Sequence, residues 1–164
     1  MKCISLWQPW ATAIALGSKR IETRSWATAY RGPLLIHAAK RLNKDELICL
    51  HACWNWIGAM HPLWDWSNAS PIWECLPFGA IVARCILADC KSTGRFYQEQ
   101  LDKRRFPEHK EKADLYAWTE RQMGDFSLGR FGWVLEDVEA FETPIPFRGR
   151  QQLFDVPEEL LPHG

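Results

Sequence analysis

The sequence has no excess of charge of either sign, since Lys plus Arg and Asp plus Glu both number 20. No field of the whole protein therefore attracts a polyanion, and any nucleic-acid contact must come from a local patch. The sequence also lacks an apolar run near the ~20 residues that a membrane-spanning helix needs. Its start, MKCISLWQPW, has no uninterrupted apolar segment of the kind found in signal peptides. We therefore expect a cytoplasmic protein without membrane contact.

Paired metal ligands are also missing from the sequence. Cys49 and Cys53 lie four residues apart, but zinc sites usually combine two such close pairs, and no second pair follows. Without a secretory signal, the cysteines are expected to be reduced thiols that pack as small apolar groups. The six cysteines are Cys3, Cys49, Cys53, Cys75, Cys85 and Cys90. The sequence predicts no metal and no cofactor.

A chain of this length fits one domain, and no linker or repeat divides it, so we expect a single domain over 1–164.

Tryptophan is the residue type present in excess, with ten among 164 residues. An indole carries an N–H that needs a partner when it is buried. The ten tryptophans therefore indicate either an aromatic-rich core or a surface on which a ligand stacks.

Hydrophobic spacing predicts strands separated by few helices. A short strand over 3–6 precedes a helix over 9–16, which Pro9 can begin and Gly17 can end. Further strands are predicted from residue 21, over 34–38, over 78–89 and over 131–141, and prolines in 144–151 suit an edge or a turn. Helical insertions are predicted over 43–57 and within 91–125, and an irregular tryptophan-rich stretch over 58–77. The helices are too few to cover both faces of a parallel sheet, so the pattern favours an α+β mixed or antiparallel barrel.

The stretch GSKRIETRSW, residues 17–26, crowds charges of both signs at the predicted corner between helix and strand. Lys19 falls in the connecting turn, where we expect its amine to reach over the mouth of the barrel. Glu22 and Arg24 share one face of the following strand, roughly 7 Å apart. A guanidinium suits phosphate or carboxylate, and a carboxylate accepts hydrogen bonds from the amino groups of nucleobases. The plainer alternative is a surface ion-pair network of little energetic consequence.

These residues form the pattern G-x-K-x-x-E-x-R, and the chain resembles the ASCH (activating signal cointegrator homology) family in this signature. The flanking blocks are similar too, in the order of the family: SLWQPWA, ETRSW, YRGPLLIHAAK, FGAIVARCILADC and FGWVLEDVEAFETPIPFRGRQ. The resemblance implies a PUA-like β-barrel with a helix between the first two strands. It also implies a cleft under that helix, lined by the signature and suited to RNA or a modified nucleoside.

Family members include RNA-binding domains, amidohydrolases of N4-acetylcytidine and reported ribonucleases. The amidohydrolases place a threonine at the position of Glu22 and a glutamate on the later central strand. In this chain that strand, GAIVARCILAD, offers Arg84 and Cys85 instead. Thr23 is offset by one residue and is expected to face the opposite side of its strand. The departure weakens the expectation of deacetylation.

Other residues are candidates for the same cleft. Trp7, Gln8 and Trp10 surround the start of the helix, and Arg148 with Arg150 could add a basic rim. His37 lies in an apolar strand, where a core histidine is the commoner role. The expected ligand-binding residues are Lys19, Glu22, Arg24, Trp7, Gln8, Trp10, Tyr30, Arg31, His37 and Arg148.

Three functional hypotheses follow. The first is a module that binds single-stranded RNA or a modified nucleoside in the cleft, with stacking on tryptophan. The second is a hydrolase acting on RNA or on an N4-acylcytidine, with Lys19 and Glu22 as catalytic residues. The third is a protein-interaction module that uses the tryptophan-rich segment 54–73.

Overall fold

A computed structural model describes residues 1–41, 76–94, 120 and 122–162. The helical insertion predicted over 43–57, most of the loop and helix predicted within 91–125, and the tryptophan-rich segment 54–73 lie outside these described residues. None of the helices described is long and apolar enough to cross a membrane.

Within the described residues, six strands form one mixed sheet. In chain order the strands are β1 (Lys2–Leu6), β2 (Ile21–Arg24), β3 (Gly32–Ala38), β4 (Ala80–Ser92), β5 (Phe131–Pro146) and β6 (Leu153–Asp155). One helix, α1 (Trp10–Ala15), joins β1 to β2, and a 3-10 turn (Glu158–Leu160) follows β6. The spatial order is β2-β5-β4-β3-β1-β6, in which only the β1–β3 pair is parallel. This is a curled half-barrel of the PUA-like type, as predicted, with the helix between its first two strands.

Alternating side chains of the central strands bury both faces of the sheet. Leu34 and Ile36 of β3 pack with Ile4 of β1, Trp133 of β5 and Ile14 of α1 in the larger core cluster. On the other face, Leu35 packs with a smaller cluster that includes Cys3 and Phe154. The two-faced burial predicted for β3 is therefore confirmed.

Local hydrogen bonds and backbone conformation explain where the helix α1 begins and ends. Gln8 is fully buried, and its Oε1 accepts a hydrogen bond from the Thr12 amide at 3.1 Å while its Nε2 donates to the Pro77 carbonyl at 2.7 Å. Gly17 has φ +72°, a left-handed conformation that glycine adopts without steric cost, and it ends the helix as predicted. The turn then leads directly into Lys19 and β2.

A side-chain bridge draws the two halves of the curled sheet together. Arg24, at the end of β2, donates from Nη2 to the carbonyl of Ser5 in β1 at 2.9 Å. The strands β2 and β1 are separated by three others in the sheet order, so this contact spans the opening of the half-barrel. The opening lies beside the start of α1.

His37 serves the fold on the face of the sheet away from α1. It is buried, with Nδ1 3.0 Å from Ser5 Oγ and Nε2 3.0 Å from the carbonyl oxygen of Phe147. A carbonyl only accepts, so Nε2 carries the proton and Nδ1 accepts from the hydroxyl in the neutral ring. Burial lowers the pKa of His37, opposed in part by the hydrogen bond to Phe147. His37 therefore resembles a satisfied core histidine.

The lowered pKa of His37 gives stability a pH dependence with a defined sign. Below the unfolded-state pKa, near 6.5, the unfolded chain binds a proton that the folded chain resists, so the free energy of unfolding falls as the pH drops from about 6.5. We expect this decline to be smaller in His37→Gln, as measured by urea unfolding between pH 7.5 and 5. Equal pH slopes for the variant and the wild type would contradict the assignment.

Candidate functional site

A cavity of about 420 Å³ opens between the start of α1, the strand β2 and the segment that precedes β5. Its lining consists of Leu6, Trp7, Trp10, Glu22, Thr23, Arg24, Gln122, Met123, Gly124, Asp125 and Arg130. The volume lies in the range of about 300–1,000 Å³ that small-molecule sites occupy. Aromatic, acidic and basic side chains thus share one concave space.

Two ion pairs lie in the lining of this cavity. Glu22 Oε1 lies 3.1 Å from Arg24 Nε, and Asp125 Oδ2 lies 3.2 Å from Arg130 Nε. With two carboxylates and two guanidiniums, these four side chains carry no net charge. Hydrogen bonds to Ser127 lower the pKa of Asp125, so its carboxylate is ionised at neutral pH. The charged groups of the lining are therefore electrically balanced.

The two tryptophans of the lining differ in what they leave accessible. Trp10 donates its indole N–H to the carbonyl of Met123 at 2.7 Å, which fixes the ring against the segment before β5. Trp7 is 43% exposed, one of the few large apolar side chains exposed in the described part of the chain. An exposed indole beside a polar cavity offers a stacking face to a planar ligand.

Lys19 is fully buried and is not among the residues that line the cavity. Its Nζ lies 3.2 Å from Glu120 Oε2 and donates to the Ile21 carbonyl. The carboxylate of Glu120 also accepts the backbone N–H groups of Arg20 and Ile21. The expected position of the amine, over the barrel mouth, thus differs from the observed one, because a buried carboxylate draws the ammonium inward.

The environment of Glu120 is that of a structural ion pair. Burial raises the pKa of its carboxyl, opposed by the Lys19 charge and by the two backbone N–H donors. Because the Glu120 carboxylate also accepts from the amides of Arg20, just before β2, and Ile21, its first residue, the pair holds the chain immediately before residues 122–125 against the start of β2. Lys19 thereby supports one wall of the cavity from behind.

Thr23 lines the cavity although it was expected on the opposite side of its strand. Its Oγ1 accepts the Asp125 amide at 3.1 Å, and its carbonyl receives Arg130 Nη2 at 3.4 Å. The strand β2 is at the edge of the sheet, so the cavity wraps around it and meets both of its faces.

The remaining candidates lie away from the cavity. Tyr30 donates its hydroxyl to the Pro33 carbonyl at 2.5 Å, and Arg31 pairs with Asp89 at 3.2 Å, both beside the turn that leads into β3. Gln8 and His37 are buried, and their side chains make the hydrogen bonds described above at the start of α1 and with Ser5 and Phe147. Arg148 is exposed in the loop after β5. Of the residues proposed from sequence, the structure places Trp7, Trp10, Glu22 and Arg24 around one space.

Glu120 and the wall formed by 122–125 and Arg130 could not be found from the sequence. That region was expected to be polar loop and helix, and no local pattern marks a contact with Lys19, 101 residues earlier. The only signal in the sequence is that some carboxylate should pair with the charged residues of the signature. Many acidic residues within 91–125 fit that role equally well.

The three described cysteines are free thiols. Cys3 and Cys85 are buried free thiols, and burial raises the pKa of each to about 12, which makes them poor nucleophiles at neutral pH. Cys90 is also a free thiol. No group of three or more His, Cys, Asp or Glu side chains suited to a metal ion occurs in the described residues.

The curled mixed sheet with a helix after its first strand is the fold that the resemblance to the ASCH family implies. The model of the ASCH domain family matches residues 4–144. The chain belongs to the ASCH domain family, whose members resemble RNA-binding domains.

Relatives agree with this membership, and a solved structure shows the same fold. The chain is 34% identical over 159 residues to "Activating signal cointegrator 1" of Mus musculus, covering 96% of this chain and 22% of that protein. It is 32% identical over 113 residues to the Homo sapiens protein of the same name, covering 68% of this chain and 17% of that protein. The chain therefore spans about a fifth of the length of these relatives. The crystal structure of ASCH from Zymomonas mobilis superposes with a TM-score of 0.50 at 16% identity, covering 97% of this chain and 89% of that one, and shows the fold.

Proposed function

We propose that this chain binds single-stranded RNA, or a nucleoside derived from it, by taking one base into the cavity beside α1. The observation that carries the proposal is the meeting of an exposed Trp7 with the Glu22–Arg24 pair in a space of small-molecule size. RNA is read in single strands by stacking on aromatic rings and by hydrogen bonds to the base edges. The cavity offers both kinds of contact.

Charge balance in the lining supports a base and its ribose as the occupant. The guanidiniums of Arg24 and Arg130 each have a carboxylate partner within 3.2 Å. A buried phosphate would compete with these carboxylates, whereas a neutral base would use the acceptors and donors that the pairs leave open. We expect the phosphates of a bound strand to lie outside the cavity.

The hydrolase alternative receives no support from the position of its expected catalytic amine. Lys19 is enclosed by Glu120 and the Ile21 carbonyl, and it does not line the cavity where Glu22 lies. A general acid or base must come within hydrogen-bonding reach of the reacting group. Binding without turnover is therefore the function proposed.

The alternative of a protein-interaction module rests on segment 54–73, which lies outside the described residues. A cytoplasmic location also stays a prediction.

Glu22→Gln tests which base edge the cavity accepts. Glu22 Oε1 contacts Arg24 Nε, so an amide oxygen is expected to keep that contact and place the amide NH2 where Oε2 was. The variant replaces an acceptor by a donor. We expect the Kd for cytidine and adenosine, which carry exocyclic amino groups, to rise about tenfold, roughly 1.4 kcal/mol, while the Kd for uridine stays within about twofold.

Isothermal titration calorimetry with the three nucleosides measures this change. Glu139→Gln is the matched control, because Glu139 is an exposed partner of Arg84 on β4 and does not line the cavity. Equal losses for uridine and cytidine, or no loss for either, would contradict a role of Glu22 in contacting the base.

A further inference from the structure

The register of the sheet aligns the ends of four neighbouring strands. Leu6 of β1 pairs with Ala38 of β3, Ala38 pairs with Ala80 of β4, and Ala80 pairs with Pro146 of β5. Adjacent strands lie about 4.8 Å apart, so this row of strand ends extends over roughly 14 Å. The chain segments beyond the row form one continuous rim.

Backbone hydrogen bonds tie these segments together. The Ala39 amide donates to the Leu6 carbonyl at 2.8 Å, the Gly79 amide to the Ala38 carbonyl at 2.8 Å, and the Phe147 amide to the Gly79 carbonyl at 3.0 Å. A Cβ on Gly79 would lie 3.5 Å from Cβ of Lys40, so the segments after β3 and before β4 touch. The rim therefore has a fixed shape.

The rim carries charge of one sign. Its described segments are 7–9, 39–41, 76–79 and 147–152, and they contain no Asp or Glu. They contain four basic residues, all exposed: Lys40, Arg41, Arg148 and Arg150. We call these four residues the basic rim. A chain with no net charge thus places four cations at one end of its sheet.

Cations at the opposite end of the sheet lie in ion pairs with carboxylates. Lys2 pairs with Asp155 at 2.9 Å, Arg31 with Asp89 at 3.2 Å, and Lys91 with the same Asp89 at 3.4 Å. Charge is therefore distributed unevenly along the strands, with cations paired to two carboxylates at one end and a local positive patch at the other. Local patches of this kind attract polyanions even when the net charge of the protein is zero.

The basic rim adjoins the cavity through the end of β1. Leu6 and Trp7 both line the cavity. Leu6 also belongs to the row of strand ends, and Trp7 belongs to the segment beyond it. Gly149 approaches Ser5 and His37 so closely that a Cβ there would lie 2.6 Å from Ser5 Oγ, and the Ser5 carbonyl accepts Arg24 of the cavity at 2.9 Å. Arg148 and Arg150 therefore flank Gly149, which lies against Ser5, the same residue whose carbonyl accepts the hydrogen bond from Arg24.

We propose that the basic rim of Lys40, Arg41, Arg148 and Arg150 binds the phosphates of a single-stranded RNA whose base occupies the cavity. This inference rests on the proposed function and adds the site of the backbone. The cavity supplies base contacts in an electrically balanced space, and the rim supplies the charge that the cavity lacks. Trp7, exposed where the two meet, stacks on a base as the strand passes from one to the other.

The test compares a rim variant, Lys40→Gln/Arg41→Gln/Arg148→Gln/Arg150→Gln, with the wild type. The probes are a fluorescent single-stranded RNA octamer of mixed sequence and the nucleoside cytidine. For single strands, the slope of log Kobs against log salt changes by about 0.7 for each phosphate that the protein no longer neutralises. We expect the slope to become shallower by about 2 to 3 and the octamer Kd at 0.15 M salt to rise at least tenfold. The cytidine Kd should stay within twofold.

A matched control removes exposed guanidiniums elsewhere. Arg31→Gln/Arg84→Gln eliminates two arginines that pair with Asp89 and Glu139 and lie outside the rim, and it should change the octamer Kd by less than twofold. Circular dichroism and urea unfolding verify that each variant is folded. If the rim variant does not fold, the double variants Lys40→Gln/Arg41→Gln and Arg148→Gln/Arg150→Gln should each show half of the slope change.

The outcomes separate this inference from the proposed function. Octamer binding that weakens in the rim variant, with cytidine binding unchanged, supports both. If the octamer binds the wild type through the basic rim but cytidine does not bind, the proposed base site in the cavity is overturned and the phosphate site at the rim stands. An unchanged salt slope in the rim variant overturns the rim, and a wild type that binds neither probe overturns both.

Discussion

Lys19→Met is expected to lower the free energy of unfolding by about 3–5 kcal/mol, the usual cost of breaking a buried ion pair by removing one partner. Lys19 is fully buried, and Glu120, its partner at 3.2 Å, is nearly so. Without the ammonium, the donors left to the Glu120 carboxylate among the described residues are the two backbone N–H groups of Arg20 and Ile21. An uncompensated buried charge is the reason for the large effect.

Urea unfolding of the single and double variants measures this coupling. Lys19→Met/Glu120→Gln should be more stable than Lys19→Met alone, because the amide removes the unpaired charge while its oxygen still accepts from the β2 edge. Lys2→Met is the control, since Lys2 belongs to an exposed pair with Asp155 and should change stability little. A Lys19→Met variant as stable as the Lys2→Met control would refute the structural role of Lys19.

Gly149→Ala is expected to be the most damaging exchange among the described glycines. An added Cβ would lie 2.6 Å from Ser5 Oγ and 2.7 Å from Nδ1 of His37, with His37 Cε1 also in its way. The ring cannot move aside freely, because Ser5 and the Phe147 carbonyl hold both of its nitrogens. Forcing an extra carbon into such a site costs roughly 1–3 kcal/mol. The loop with Arg148 and Arg150 should be displaced, so octamer affinity should fall as well.

Gly94→Ala serves as the control for Gly149→Ala. Among the described residues, a Cβ on Gly94 meets only Leu128, at an ordinary 3.6 Å, and Gly94 has no positive φ. Thermal unfolding of both variants, with octamer binding measured beside it, checks the expectation. Should Gly149→Ala unfold at the wild-type temperature, the packing of the loop against His37 and Ser5 would be wrong.

The fold could be predicted wherever local pattern and tertiary structure agree. Gly17 ends α1, and the apolar run of β3 is buried on both faces, as the sequence indicates. The strand β6 was not predicted, because its three residues gain their strand conformation only from pairing with β1. The end of β5 was predicted too early. The strand continues through Pro144 to Pro146. Prolines are tolerated there because β2 pairs only with residues 131–134 of β5, so within the described residues this part of the strand has a free edge.

The site could be predicted only where its residues are neighbours in sequence. The two-residue spacing of Glu22 and Arg24 places both beside one cavity, as a strand does by geometry alone. The position of Lys19 could not be inferred, because it depends on Glu120, which reaches it from 101 residues away. Asp125 and Arg130 escaped prediction for the same reason. Their contacts with Thr23 exist only in the folded chain.

The most direct test of the central claim is a crystal structure of this chain with a short single-stranded RNA. We expect electron density for one base in the cavity, against Trp7 and within hydrogen-bonding distance of Glu22 or Arg24, with phosphates along the basic rim. Ordered RNA on another surface, with no base in the cavity, would contradict the claim.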